Sequence, residues 1–110
     1  MKRTYCFTLD LINDPEKIAA YEAHHRAIWP EVKASILEAG ILSMDIYRWQ
    51  DRLMMLMEVD EGFTFEKKTA IDLNNPIVQK WEKLMSTFQK PPKGYSGEDK
   101  WVRMDQIFEL

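Results

Sequence analysis

The sequence predicts an α+β fold in which one antiparallel sheet is covered by helices on a single face. Segments with period-2 alternation and segments with helical spacing follow one another in the order strand, helix, strand, strand, helix, strand. The length of 110 residues, with 45% hydrophobic and 30% charged residues, is typical of one globular domain. We therefore expect a single domain over residues 1–110.

The first half of the chain begins with a strand and a broken helix. Apolar residues occupy alternate positions from Arg3 to Leu11, which predicts a strand with one buried face. The segment Asn13-Asp14-Pro15-Glu16 offers a capping side chain, a first-turn proline and an acid near the helix dipole, so a helix should start there. Pro30 should end or kink that helix. A second helical piece is predicted from Glu31 to Ala39, stopping at Gly40.

Strands 2 and 3 are predicted from Ile41 to Trp49 and from Arg52 to Val59, with Gln50-Asp51 as a short hairpin connection. Five successive apolar residues run from Leu53 to Met57, so both faces of strand 3 need cover. Helices of the same chain can cover one face. We expect the sheet of a second subunit to cover the other.

The second half predicts a helix from Phe63 to Leu73 and a further helix that opens at Pro76. The latter has Ile77, Trp81, Leu84 and Phe88 on one side. The segment Gln89 to Lys100 holds two prolines and two glycines and is predicted to be a loop, and Trp101 to Leu110 returns to period 2 as strand 4. This order is the split βαβ, ferredoxin-like arrangement, and two such sheets packed together form a dimeric α+β barrel.

Composition excludes several classes of partner. The net charge of -3, with 15 basic residues scattered among 18 acidic ones, offers no basic surface for nucleic acid. Cys6 is the single cysteine, so the chain forms no internal disulfide, and a cytoplasmic location is expected. No export signal and no membrane-spanning segment is visible, so we expect no membrane partner.

His25 is the candidate catalytic residue. It lies four residues after Tyr21 on the apolar side of the first helix, whereas the adjacent His24 should point about 100° away, toward solvent. An imidazole titrates near neutral pH and can give or accept a proton, which suits general acid or base catalysis. A hydrogen-bonded structural histidine is the alternative interpretation.

No metal or cofactor site is predicted. Adjacent histidines do not have the spacing of three or four that a helical ligand pair prefers, and the fingerprints of nucleotide-binding loops and nucleophile elbows are absent. A chain that binds neither a metal nor a cofactor performs simple proton chemistry or is not an enzyme. Aromatic residues are abundant, and their planes suit the C–H faces of sugar rings, although most tryptophans at such spacings belong to the core.

The segment from Tyr21 to Glu31, YEAHHRAIWPE, resembles the L-rhamnose mutarotase family, whose pattern has a tyrosine, a histidine four residues later and then Ile-Trp-Pro-Glu. The resemblance extends over nearly the whole chain and includes Ile46-Tyr47, the last helix and the closing Met104 to Leu110. It implies a homodimeric α+β barrel that interconverts the α and β anomers of a deoxyhexose without a cofactor. A small sugar is then the expected substrate.

The resemblance also implies roles for single residues. His25 matches the proton donor, the acid in ring opening and the base in closure, and Tyr21 matches a substrate-binding phenol. Trp81 matches the first of two consecutive tryptophans that line the sugar. This chain has Glu82 in place of the second tryptophan and Met44 in place of a second tyrosine. Tyr47 is a further candidate contact.

These departures leave three hypotheses. The first is an L-rhamnose mutarotase, or a mutarotase of L-fucose or a related sugar. The second is a different dimeric barrel protein, such as a haem-binding protein or a small monooxygenase, because fold does not dictate function. The third is a sugar-binding or structural dimer that lost catalysis with the changes at Met44 and Glu82.

Overall fold

A computed structural model describes residues 3–95 and 100–110. Its elements are, in chain order, β1 Arg3–Leu11, α1 Pro15–Arg26, α2 Pro30–Glu38, β2 Ile41–Trp49, β3 Arg52–Val59, α3 Phe65–Leu73, α4 Pro76–Ser86, β4 Gln89–Lys90 and β5 Val102–Met104. No helix in these two ranges is long and apolar enough to cross a membrane.

The strands form one antiparallel sheet in the order β2-β3-β1-β4, with β5 also paired to β1. The central strand β1 pairs along its length with β3, from Arg3 opposite Val59 to Asp10 opposite Arg52. Its other edge pairs first with β5, where Cys6 faces Met104, and then with β4. The predicted ferredoxin-like α+β fold is therefore confirmed.

The core lies between this sheet and the helices. Alternate residues of β3 are buried toward the helices, namely Leu53, Met55, Met57 and Val59. One buried cluster combines the helical residues Tyr21, Val32, Trp81 and Met85 with Leu11 and Leu53 of the sheet. The last helix buries Val78, Trp81 and Met85, so its buried side is turned slightly from the predicted stripe of Ile77, Trp81, Leu84 and Phe88. Packing of this apolar face supplies most of the driving force for folding.

Two predicted boundaries in the helices are wrong by a few residues. The first helix ends at Arg26, before it reaches Pro30. The second helix, α2, begins at Pro30, because N–H groups of a first helical turn have no partner within the helix and proline lacks this group. The third helix begins at Phe65 because the side chain of Thr64 caps it, accepting a hydrogen bond from the backbone N–H of Lys67. Phe63 precedes this cap and is fully buried in the core.

The predicted fourth strand is too long. Only Val102–Met104 pairs with β1, and the residues after it form no strand in the described chain. The antiparallel register that joins Cys6 to Met104 would bring residue 107 opposite Arg3, so the last three residues have no partner in β1. The predicted loop from Gln89 to Lys100 is also corrected, since its first two residues form β4 beside the end of β1.

Candidate active site

A cavity of about 880 Å³ lies between the sheet and the helices. Its floor is made by apolar side chains of the sheet, including Met44, Ile46, Met55 and Met57, and its wall carries polar groups from α1, α4 and the segment that follows α4. Such a cavity can hold a small molecule by its apolar surface while a few polar groups fix its orientation.

His25 and Tyr21 lie side by side on α1, as their spacing of four residues predicts. Their ring centroids are 4.4 Å apart, and both side chains line the cavity. Tyr21 is buried in the core, whereas His25 is half-buried at its edge. An ion pair joins Glu22 of this helix to Arg48 of β2.

The hydrogen bond of His25 fixes its tautomer. Nδ1 lies 2.9 Å from the backbone carbonyl oxygen of Tyr21, one helical turn earlier. Because a carbonyl oxygen only accepts hydrogen bonds, Nδ1 must carry the proton. In the neutral ring, Nε2 is then the nitrogen that can accept a proton from a ligand.

Burial lowers the pKa of His25 below its ordinary value of 6.5, because the imidazolium form loses solvation. The hydrogen bond to the Tyr21 carbonyl raises this pKa in part, and the charge of His24 lowers it further. The pKa of His25 is lowered on balance, which favours a neutral imidazole at pH 7. The side chain is therefore prepared to act first as a base.

The phenol of Tyr21 is prepared to act as a hydrogen-bond donor. Burial raises its pKa above 10.0, and a hydrogen bond from Gln89 lowers it in part, so the phenol stays protonated at neutral pH. The amide Nε2 of Gln89 donates to the phenolic oxygen at 3.2 Å. The O–H of Tyr21 is then free to point at another acceptor.

Trp81 forms an aromatic wall beside the histidine. Its ring centroid is 5.4 Å from that of His25 and 5.2 Å from that of Trp29, both in edge-on geometry. The expectation that His24 points toward solvent is wrong. Its ring packs 5.7 Å from Phe88 and 6.3 Å from Trp81, because α4 continues past that side of α1, and it does not line the cavity.

The other predicted site residues divide into two groups. Met44 and Glu82 line the cavity together with Tyr21, His25 and Trp81. Tyr47 does not, because Ile46 points into the cavity and the next residue of a strand points to the opposite face. Its side chain is 56% exposed on that opposite face.

Sequence patterns missed several polar residues of the cavity. Gln89 enters through β4, and Lys100 approaches α4, where its amine donates to the carbonyl oxygen of Glu82 and to the hydroxyl of Ser86. The far side of the cavity has Ser35 of α2 beside Asp72 of α3, with 3.5 Å between their side-chain oxygens. Long-range pairing places these side chains, so no local signal marks them.

Metal ligation finds no support in the part of the chain that the structure describes. Within residues 3–95 and 100–110, no group of three or more His, Cys, Asp or Glu side chains could hold an ion. The imidazole of His25 and the phenol of Tyr21 are groups that can transfer protons to and from a bound molecule.

Comparisons with known proteins identify the family of the chain. The model of the L-rhamnose mutarotase family matches residues 4–110. An L-fucose mutarotase of Xanthomonas campestris is 45% identical over 107 residues, which cover 96% of this chain and 86% of that protein. The crystal structure of an L-rhamnose mutarotase from Formosa agariphila has a TM-score of 0.70 at 19% identity, with 98% of both chains covered.

The fold by itself does not select the chemistry. Tetracenomycin F2 cyclase from Streptomyces glaucescens, a type-II polyketide cyclase, superposes with a TM-score of 0.64 at 20% identity, covering 98% of this chain and 96% of that one. The decisive finding is the family match, which covers almost every residue and includes His25 and Tyr21. On that ground the chain belongs to the L-rhamnose mutarotase family.

Proposed function

We propose that the protein is a cofactor-independent mutarotase, an isomerase that interconverts the α and β anomers of a 6-deoxyhexose. The observation that carries this proposal is the pairing of two complementary groups in one cavity. His25 offers the acceptor Nε2 on a ring whose pKa is lowered, and the neighbouring Tyr21 offers a protonated phenol. Mutarotation needs one proton acceptor and one proton donor, and no redox change.

The proposed reaction moves two protons and breaks one bond. Nε2 of His25 accepts the proton of the anomeric hydroxyl, O1 becomes the aldehyde oxygen, and the bond from C1 to the ring oxygen breaks. A donor protonates the departing ring oxygen, and we assign this role to the Tyr21 hydroxyl or to a water that it orients. Rotation about C1–C2 turns the other face of the aldehyde to the ring oxygen. Closure returns both protons.

This assignment places His25 at O1 as the base of ring opening. The resemblance implied the converse, an imidazolium that protonates the ring oxygen. The lowered pKa supports the neutral base, because only a small fraction of His25 would be protonated at pH 7. The two assignments predict opposite responses of the exchange rate to pH.

We infer that L-fucose is the preferred substrate and L-rhamnose the second. The mutarotase of Xanthomonas campestris, matched over nearly the whole chain, bears the name of L-fucose. Both sugars are 6-deoxy-L-hexoses, with an apolar C6 methyl suited to the methionine floor, and they differ in configuration at C2 and C4. Glu82 adds a carboxylate to the cavity wall, which can accept a sugar hydroxyl.

The sugar preference is tested by anomer exchange at equilibrium. Saturating one anomeric proton by NMR should transfer saturation to the other anomer with L-fucose, and more weakly with L-rhamnose. D-fucose is the matched control, since its uncatalysed exchange rate equals that of its mirror image. Absence of enzyme-dependent transfer with both L-sugars would contradict the proposed function, and equal transfer with D-fucose would contradict a chiral site.

A homodimer is the second part of the proposal. The sheet face opposite the helices carries Tyr47, Met54, Leu56 and Met104, and no described helix covers it. Ile107 and Phe108 at the C-terminus are 94% and 73% exposed. An apolar sheet face beside an apolar tail suits a second copy of the same chain.

The dimer should be visible by analytical ultracentrifugation as a species of twice the chain mass. Leu56→Lys should shift it to monomer, because a charge would then sit at the centre of the buried face. The variant should still fold, since Leu56 points away from the helices and from the core. Lys33→Glu on the exposed side of α2 is the matched control. A monomeric wild type at micromolar concentration would overturn this part.

We also infer that the protein works in the cytoplasm, in the metabolism of L-fucose or L-rhamnose. Its single thiol, Cys6, is unpaired, as in proteins of a reducing compartment. Cell fractionation tests this location.

A further inference from the structure

Gln89 occupies an unusual position next to the phenol of Tyr21. Its backbone is fixed by β4, where Gln89 pairs with Leu11 at the end of β1, and the N–H of Ile12 donates to the carbonyl oxygen of Phe88 at 2.8 Å. This pairing sets the direction of its side chain, which lines the cavity.

The two ends of the Gln89 amide are unequally satisfied. Nε2 donates to the hydroxyl oxygen of Tyr21 at 3.2 Å. Oε1 is buried and has no hydrogen-bond partner among the residues that the structure describes. A half-turn of the amide would exchange the two atoms and again leave one of them unsatisfied. A buried polar atom without a partner costs free energy, so a retained one indicates a partner supplied by a ligand or by water.

We propose that Gln89 binds a hydroxyl of the sugar through Oε1 and positions Tyr21 through Nε2. This inference rests on the proposed function and deepens it. The donation from Nε2 occupies a lone pair of the phenolic oxygen, so the Tyr21 O–H turns toward the bound ring. Oε1 is an acceptor and therefore takes a hydroxyl that acts as donor. One glutamine thus connects recognition of the sugar to the orientation of the proton donor.

The test compares wild type with Gln89→Met, which keeps the length of the side chain and removes both polar atoms. Rates of anomer exchange are measured for L-fucose and for its 2-, 3- and 4-deoxy analogues. We expect kcat/KM for L-fucose to fall about tenfold, as for the loss of one hydrogen bond to a buried group. For the analogue that lacks the contacted hydroxyl, the difference between wild type and variant should be clearly smaller than for L-fucose.

A merely structural role would lower the rates for all four sugars by the same factor, and that result would overturn the proposal. Unchanged rates for all four would overturn it as well. If the wild-type protein shows no activity on any of these sugars, the proposed function itself is contradicted. The two failures are therefore distinguishable.

Gln89→Glu provides the second variant, in case the methionine variant does not fold. A carboxylate keeps an acceptor for the sugar but accepts the Tyr21 O–H instead of donating to it. We expect kcat to fall at least tenfold while KM changes less than threefold. Wild-type kcat in this variant would remove the positioning role of Gln89.

Discussion

Anomer exchange should fall by at least about 10²-fold when His25 is replaced by asparagine, because a positioned proton-transfer group typically contributes 10²-fold to 10⁴-fold. The asparagine amide can still donate to the Tyr21 carbonyl oxygen in place of Nδ1, so the helix keeps its hydrogen bond. It has no group at the position of Nε2. Saturation transfer with L-fucose measures the loss, and a rate within threefold of wild type would remove His25 from the reaction.

His24→Asn is the matched control for this variant. His24 is the neighbouring imidazole on the same helix, but it packs on Phe88 and Trp81 and does not line the cavity. The control variant should keep most of the wild-type rate at pH 7. A loss as large as that of His25→Asn would assign the effect to disruption of α1 and not to proton transfer.

The pH dependence of the same assay distinguishes the two possible roles of His25. Its pKa is lowered from 6.5, chiefly by burial, so a neutral base stays active through pH 7 and loses activity as the pH falls through this lowered pKa. In His24→Asn the inflection should move upward, because the charge of His24 contributes to the lowering. An acid role requires the imidazolium, and activity would then fall as the pH rises through the same pKa. That outcome would restore the role implied by the resemblance.

The fold was predictable because its signals are local. Strand-like segments and the turn between β2 and β3 predict the bounds of β1, β2 and β3 to the residue, and Asp14 and Pro76 mark helix starts within one residue. The pairing of Tyr21 with His25 followed from helical geometry alone. The end of the last strand is different, since β5 stops at Met104 opposite Cys6 although β1 extends to Arg3, and alternation in the segment does not reveal this end.

The rest of the site depends on contacts between distant segments. Gln89 reaches Tyr21 only because a two-residue strand pairs with the end of β1, and no periodicity marks so short a strand. The sequence predicts Tyr47 as a contact of the sugar, but the alternation of β2 turns Ile46 into the cavity and Tyr47 to the opposite face. Deciding between two adjacent positions of a strand requires knowing which face the helices cover, and the sequence of β2 has apolar residues on both.

Trp81 is expected to be the most costly cavity residue to truncate. Its side chain is 7% exposed and packs against Trp29 and His25 within one core cluster. Trp81→Ala should lower the free energy of unfolding by about 3–5 kcal/mol, since it removes a large buried side chain and leaves a cavity. Urea unfolding at one fixed protein concentration measures the change, because association with a second chain would make the midpoint concentration-dependent.

Leu73→Ala is the control, as this apolar side chain is 67% exposed on α3 and its truncation should change the free energy of unfolding by less than about 0.5 kcal/mol.

Trp81→Phe separates stability from catalysis, because it keeps an aromatic ring in the core cluster but shortens the wall beside His25. We expect this variant to retain most of the stability and to lose part of the exchange rate. If Trp81→Ala lowers the free energy of unfolding by less than about 1 kcal/mol, the surrounding residues fill the space that the tryptophan leaves. Trp81 would then serve mainly as a contact surface for the ligand.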